Sequence, residues 1–110
     1  MFAEVKDTLP ISGDDYDAQI IREIKACALD LTTSAEISLP GEINITVSDQ
    51  GVITDASTLT DELVITAISV WCNMRIGNPP NYDKLLAAYN SLKGQLRLSK
   101  SYTTGEVTTE

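Results

Sequence analysis

Residues 75–103 constrain the fold more than any other stretch, because they combine a helix stop, a rigid turn and a long amphipathic helix. Gly77 can adopt the left-handed conformation that ends a helix, and Pro79 and Pro80 cannot continue one. Asn81 is a favourable N-cap for a new helix. Large apolar side chains then recur at spacings of three and four residues: Tyr82, Leu85, Tyr89, Leu92 and Leu96. This spacing predicts an amphipathic helix that packs on a partner surface.

A second predicted helix ends just before this turn, near Ile76. Thr58 or Thr60 is its expected N-cap, followed by acidic residues in the first turn. Its sequence is apolar on almost every side, and the polar residues form one narrow stripe: Glu62, Thr66, Ser69 and Asn73. A helix of this kind is covered on most sides. It is either the central core helix of one chain or a helix that a neighbouring subunit helps to cover, and Trp71 is expected to be largely buried.

The first predicted helix begins at a cap supplied by Ser12 or Asp14 and runs to about Leu31. Its apolar stripe consists of Tyr16, Ile20, Ile24, Cys27 and Leu31, broadened by Ile21 and Ala28. Three acidic residues lie at the positive end of the helix dipole: Asp14, Asp15 and Asp17. This position favours a solvated helix start over a metal site.

A short β-hairpin is predicted at about residues 43–54, because apolar and polar residues alternate there on both sides of the turn at residues 48–51. Residues 4–12 are expected to be a lead-in without a helix, since Pro10 interrupts helices. The predicted fold is therefore mainly α: a small three-helix bundle with a β-hairpin inserted between helices one and two.

The chain of 110 residues is expected to form one helical domain over residues 1–100 and a flexible tail over residues 101–110. Tyr102 is a large aromatic residue in this polar tail, and we expect it to dock on a neighbouring surface. Cys27 and Cys72 are far apart in sequence and are interpreted as buried thiols. No apolar run approaches the ~20 residues of a membrane-spanning helix, so no membrane partner is expected.

Composition argues against catalysis. The sequence contains no histidine, which excludes Ser-His and Cys-His nucleophiles and disfavours most zinc sites. It also contains no phosphate-binding glycine loop, and its paired carboxylates occur where helix capping or turns explain them. We therefore expect a protein that is not an enzyme and that uses no metal or other cofactor.

Charge is distributed unevenly along the chain. The net charge is −8, which disfavours tight wrapping of DNA. Residues 1–74 hold 13 acidic and 3 basic side chains, whereas residues 75–104 hold 5 basic side chains and 1 acidic one. This segregation is either chance on solvated helix faces or a functional polarity.

The C-terminal stretch also carries a family resemblance. Residues 77–85 (GNPPNYDKL), Tyr89, residues 94–97 (GQLR) and residues 101–103 (SYT), in this order and spacing, resemble the signature of the head-tail connector family of long-tailed phages and prophages, the DNA-packaging or QLRG-type group. The opening EVKDTLPI at residues 4–11 also matches. Many relatives have a shorter connection where this chain has the predicted hairpin.

The resemblance implies a structural virion protein at the junction of head and tail. Its copies would form a ring of about twelve beneath the portal protein, assembled in the bacterial host cytoplasm. The ring would contact the portal and the next head-completion or tail-joining protein. DNA would pass through its channel without sequence-specific binding.

An alternative function is a small non-catalytic adaptor that binds one partner through the basic third helix, and nucleic-acid binding is a weaker third interpretation. For the ring, we predict a subunit interface in which the acidic start of the first helix meets a basic face of the third. The residues of this interface are Asp14, Asp15, Asp17, Lys93, Arg97 and Lys100, with Tyr102 from the tail. A rim of charge around an apolar contact is common at such interfaces.

Overall fold

The computed structural model describes residues 1–11, 13–76 and 79–98. In this part of the chain, four helices and one two-stranded antiparallel sheet follow in the order α1 (Phe2–Asp7), α2 (Asp17–Thr33), β1 (Ile45–Val47), β2 (Ile53–Asp55), α3 (Glu62–Arg75) and α4 (Tyr82–Leu98). The fold is mainly α with a hairpin between the first two long helices, as the sequence predicts. The described residues contain four helices rather than three, so the three-helix bundle is not confirmed in that form.

Helix α1 corrects the prediction of a lead-in without a helix. It ends at Asp7, so Pro10 follows the helix instead of interrupting it. A helix of 6 residues is too short to be stable alone and depends on tertiary contacts. Val5 is fully buried, and the Phe2 backbone N–H donates to Asp55 Oδ2 at 2.7 Å. Burial and this contact from the hairpin therefore stabilise a helix that local sequence does not indicate.

Helix α2 starts later than predicted. Tyr16 occupies the N-cap position without a side-chain cap, and the Asp17 N–H donates to the Asp14 carbonyl at 3.2 Å. Asp14 thus contributes its backbone and not its carboxylate, while Ser12 lies outside the described residues. The predicted stripe is buried in its helical part: Ile20, Ile21, Ile24, Cys27 and Leu31. Tyr16 precedes the helix and is 39% exposed, so it is not part of that stripe.

The hairpin pairs Ile45 with Asp55 and Val47 with Ile53. Its turn is closed by a bond from the Gly51 N–H to the Ser48 carbonyl at 2.9 Å, and Gly51 has the positive φ of 81° that glycine tolerates best. Ile45 is buried in the core, which attaches the hairpin to the helices. An isolated two-stranded hairpin is marginal in water, so this attachment is necessary.

Helix α3 is the central helix, in contact with α1, α2 and α4. Asp61 is its N-cap and accepts a hydrogen bond from the Val64 N–H at 3.0 Å, so the prediction of a threonine cap is wrong. Thr58 instead accepts a hydrogen bond from the Glu42 N–H at 2.9 Å, which ties the loop after the hairpin to the one before it. Trp71 is only partly buried, less than expected.

Helix α4 follows the prolines as predicted, and the helix stop at Gly77 lies outside the described residues. Burial varies along its predicted apolar stripe. Tyr89 and Leu96 are buried, Leu85 and Leu92 are partly buried, and Tyr82 is 43% exposed. Most other α4 side chains are exposed. The predicted tail at residues 101–110 also lies outside the described residues.

Candidate functional site

The acidic residues at the start of α2 are partly paired within the chain. Helix α1 brings Lys6 close, so its Nζ lies 2.7 Å from Asp17 Oδ1 and 3.3 Å from Asp14 Oδ1. The hydrogen bond to Asp17, with a smaller contribution from Asp14, raises the pKa of Lys6. The Asp17 side chain is 15% exposed, whereas that of Asp14 is 91% exposed. Asp14 and Asp15 therefore present most of this cluster's charge to solvent.

Of the three predicted interface cations of the third helix, the structure describes Lys93 and Arg97, and these two differ in their contacts. Lys93 Nζ lies 3.2 Å from Asp30 Oδ2 and 5.3 Å from the centre of the Tyr89 ring, so its charge is used inside the chain. Arg97 is exposed and forms no ion pair among the described residues. Lys100 and Tyr102 lie outside the described residues. Arg97 is thus the available cation at this end of α4.

Two similar clusters join α2 to α3 and α4, and sequence reasoning missed both. In one, the Tyr89 hydroxyl donates to Asp30 at 2.5 Å and Lys93 pairs with the same carboxylate. In the other, the Trp71 indole N–H donates to Glu23 at 2.9 Å, and Arg75 lies 3.5 Å from that carboxylate.

The aromatic rings connect these clusters, because Trp71 and Tyr89 pack edge to face with centroids 5.2 Å apart. Glu23 and Asp30 are seven residues apart, about two helical turns, so both carboxylates border the apolar stripe on one side of α2. This spacing was a readable signal. The groups on α3 and α4 that these two carboxylates bind could not be predicted from the sequence, because they depend on how the helices pack.

Burial favours the protonated, uncharged form of the thiol and hydroxyl groups around these clusters. Burial raises the pKa of the Cys27 thiol to about 12 and raises that of Cys72 as well. Burial, with the hydrogen bond to Asp30, also raises the pKa of the Tyr89 hydroxyl. Both cysteines are free thiols in the core, as their interpretation from sequence required. Their environment is therefore typical of structural thiols, since the nucleophilic form is the thiolate.

An open groove lies between the hairpin turn and the start of α2, with a volume of approximately 490 Å³. We call it the acidic groove, and its lining residues are Asp14, Asp17, Ala18, Val47, Gly51 and Ile53. Val47 is 49% exposed. The groove thus combines a solvated apolar side chain with a carboxylate rim.

The end of α4 has the complementary character. We call it the basic end, and it consists of Gly94, Arg97 and Leu98, which line a shallow depression of their own. Leu98 is 88% exposed, the highest value among the exposed large apolar side chains of the described residues. An apolar side chain and a cation are adjacent here, without a described partner in the same chain.

The acidic groove and the basic end lie at opposite ends of the molecule. Tyr16, just before α2, shares a surface groove with Leu85 in the first turn of α4. Further along, Asp30 of α2 contacts Lys93 of α4. Helices α2 and α4 therefore run in the same direction, so the start of α2 is far from Leu98. Among the described residues, the predicted acidic interface residues at the start of α2 therefore form no ion pair with Lys93 or Arg97 of the same chain.

No group of three potential metal-ligating side chains is found in the described part of the chain. None of the helices described there is long and apolar enough to cross a membrane. Comparison with protein families, curated proteins and solved structures found no match to this chain.

Proposed function

We propose that this protein is a structural head-tail connector whose copies assemble into a ring of about twelve beneath a phage portal. The observation that carries the proposal is the resemblance of residues 77–103 to the connector signature. In this proposal α2, α3 and α4 form the connector bundle, and α1, which contains the start of the matching opening EVKDTLPI, packs on α3. The ring contacts the portal on one side and the next head-completion or tail-joining protein on the other, at the virion's head-tail junction.

The exposure pattern of the GQLR segment supports an assembly role. The Leu96 side chain of α4 is fully buried, whereas its sequence neighbours Gln95 and Arg97 are exposed. One residue of the segment thus secures the helix, and its neighbours remain free to contact another molecule. The exposed acidic and basic groups lie at opposite ends of the molecule. This arrangement also suits repeated contacts between identical copies.

The channel role follows from charge. A ring made of subunits that each carry a net charge of −8 repels the phosphate backbone, which keeps DNA from adhering during passage. We expect the purified protein to bind duplex DNA only weakly at about 0.15 M salt. Sub-micromolar affinity with a steep salt dependence, measured by fluorescence anisotropy, would contradict the proposed channel.

The decisive experiment for the proposal is the mass of the purified full chain under native conditions, measured across a concentration series. A closed ring of about twelve copies, visible by electron microscopy, is the expected result. A particle that remains monomeric or dimeric throughout, and that does not join a portal ring, would contradict the connector.

The alternative adaptor, which binds a partner through the basic third helix, is favoured by one observation: most side chains of α4 are exposed, among them Lys84 and Arg97. The adaptor would bind a single partner and remain a monomer or dimer. The same mass measurement therefore separates the two functions.

A further inference from the structure

We infer that the basic end of one copy docks in the acidic groove of the next copy, and that this contact is the repeating interface of the assembly. The inference rests on the proposed function and adds to it the surfaces, the order of the copies and the symmetry class.

Charge complementarity is the first argument. The rim of the acidic groove presents Asp14, whose side chain is 91% exposed, and the exposed Asp15 lies next to it in sequence. Asp17 is less available, because it is 15% exposed and 2.7 Å from Lys6. The basic end presents Arg97. Opposite charges on two surfaces guide association and set its register more than they add affinity.

Apolar contact is the second argument, because exposed charge pairs alone are weak. Leu98 is 88% exposed at the basic end, and Val47 is 49% exposed in the acidic groove. Removing two such side chains from water supplies the affinity that the ion pairs lack. The acidic groove has a volume of approximately 490 Å³, which is large enough for a leucine side chain.

The position of the two surfaces decides the symmetry. They are at opposite ends of parallel helices, and residues 17–30 of α2 alone span about 20 Å. A chain therefore cannot place Leu98 in its own acidic groove. When each copy docks in a different neighbour, two different surfaces in contact make a head-to-tail interface, which produces a closed ring or an open filament.

Leu98→Gln in the full chain tests the apolar contact, and Leu86→Gln, at a position 36% exposed, is the control on the same helix. Sedimentation across a concentration series should show association of Leu98→Gln at least about tenfold weaker than that of the parent. The control should assemble like the parent. Circular dichroism should be unchanged in both variants, since the two side chains are exposed.

A mixing experiment tests the head-to-tail arrangement directly. Val47→Asp removes the acidic groove as a binding surface but leaves the basic end, and Leu98→Asp does the reverse. Each variant alone should be monomeric. An equimolar mixture should form a 1:1 pair and nothing larger, because one intact surface of each kind remains. If Val47→Asp does not fold, Ala18→Arg blocks the same groove from an exposed position on α2.

Charge reversal tests the register. Arg97→Glu should weaken association about fivefold, and Lys84→Glu, the same reversal at an exposed position near the start of α4, should not. Asp15→Lys should partly restore assembly of Arg97→Glu. Asp15 is chosen because it forms no ion pair among the described residues, so the contacts of Lys6 remain intact.

The possible outcomes separate this inference from the proposed function. If the parent forms a ring and both Leu98→Gln and Val47→Asp assemble equally well, the inferred interface is wrong and the ring remains. A two-fold dimer of the parent would overturn the head-to-tail geometry. A parent that stays monomeric at every concentration would overturn both the inference and the proposed ring.

Discussion

Helices α3 and α4 are similar in length but differ in how the chain covers them. Six residues of α3 are buried, including Ile68 and the polar Ser69, whereas α4 buries only Tyr89 and Leu96. Helix α3 has neighbours on three sides, and α4 packs mainly on α3. The difference separates two tasks: α3 holds the domain together, while α4 presents a surface.

The polar stripe of α3 is partly covered by residues of the same chain. Asn73 donates to Thr8 at 3.0 Å and to the Ser69 carbonyl at 2.8 Å, so the residues after α1 close over this stripe. The sequence left open whether a neighbouring subunit covers α3. Part of that cover comes from α1 of the same chain.

Shortening a side chain in the centre of α3 should have the largest effect. Ile68 is fully buried, so Ile68→Ala should lower the free energy of unfolding by about 2–5 kcal/mol, because a cavity replaces well-packed methyl groups. Chemical denaturation monitored by circular dichroism measures this loss. Leu86→Ala on the exposed side of α4 is the control, and equal losses in the two variants would contradict the proposed division between the helices.

Weakening the contact between α1 and the hairpin should reduce the packing of α1 on α3. Burial alone would raise the pKa of Asp55, but hydrogen bonds from Phe2 and Ser57 hold it well below its usual range. Asp55→Asn should therefore cost about 1–2 kcal/mol at neutral pH.

The pH dependence of the Asp55 effect has a definite sign. A depressed pKa in the folded state stabilises the fold above the unfolded pKa of about 4, and this contribution fades as pH falls towards the folded pKa. Denaturation of parent and Asp55→Asn should thus differ most near neutral pH and converge in acid. A difference that stays constant from pH 7 to pH 2 would show that the carboxylate charge is not responsible.

Removing one hydroxyl should weaken the attachment of α4 to α2. Tyr89→Phe deletes the donor to Asp30 but leaves Lys93 paired with that carboxylate, so the expected loss is about 1 kcal/mol. Thermal unfolding measures the change. Tyr82→Phe, at a position 43% exposed, should leave stability unaltered. Matching losses in both variants would argue against a specific role for the Asp30 cluster.

The smallest expected effect is a gain. Apart from the adjoining backbone of α4, a Cβ added at Gly94 would meet no described atom within 4 Å. Gly94→Ala should therefore stabilise the protein by about 0.5–1 kcal/mol through helix propensity. The assembly state of the same variant distinguishes two roles for this glycine. Unchanged assembly indicates a tolerated surface glycine, whereas weaker assembly of a more stable chain indicates close approach by a neighbouring copy.

Local sequence was sufficient for the elements whose signal is periodic. The start of α4 after Pro79 and Pro80, the buried stripe of α2 and the position of the hairpin all follow from steric exclusion and from spacings of two or three to four residues. These signals are local, because the backbone period and the side-chain pattern lie within one segment.

Tertiary structure alone decided which charges remain available. Lys93 pairs with Asp30 across 63 residues of sequence, and Lys6 reaches Asp17 only because α1 forms. Both pairings depend on packing between helices, and α1, a helix of 6 residues, depends on tertiary contacts such as the burial of Val5. Spacing along the chain does not contain that information. The sequence therefore determined the segregation of charge. The fold determined that, of the predicted interface charges among the described residues, Asp14, Asp15 and Arg97 are exposed.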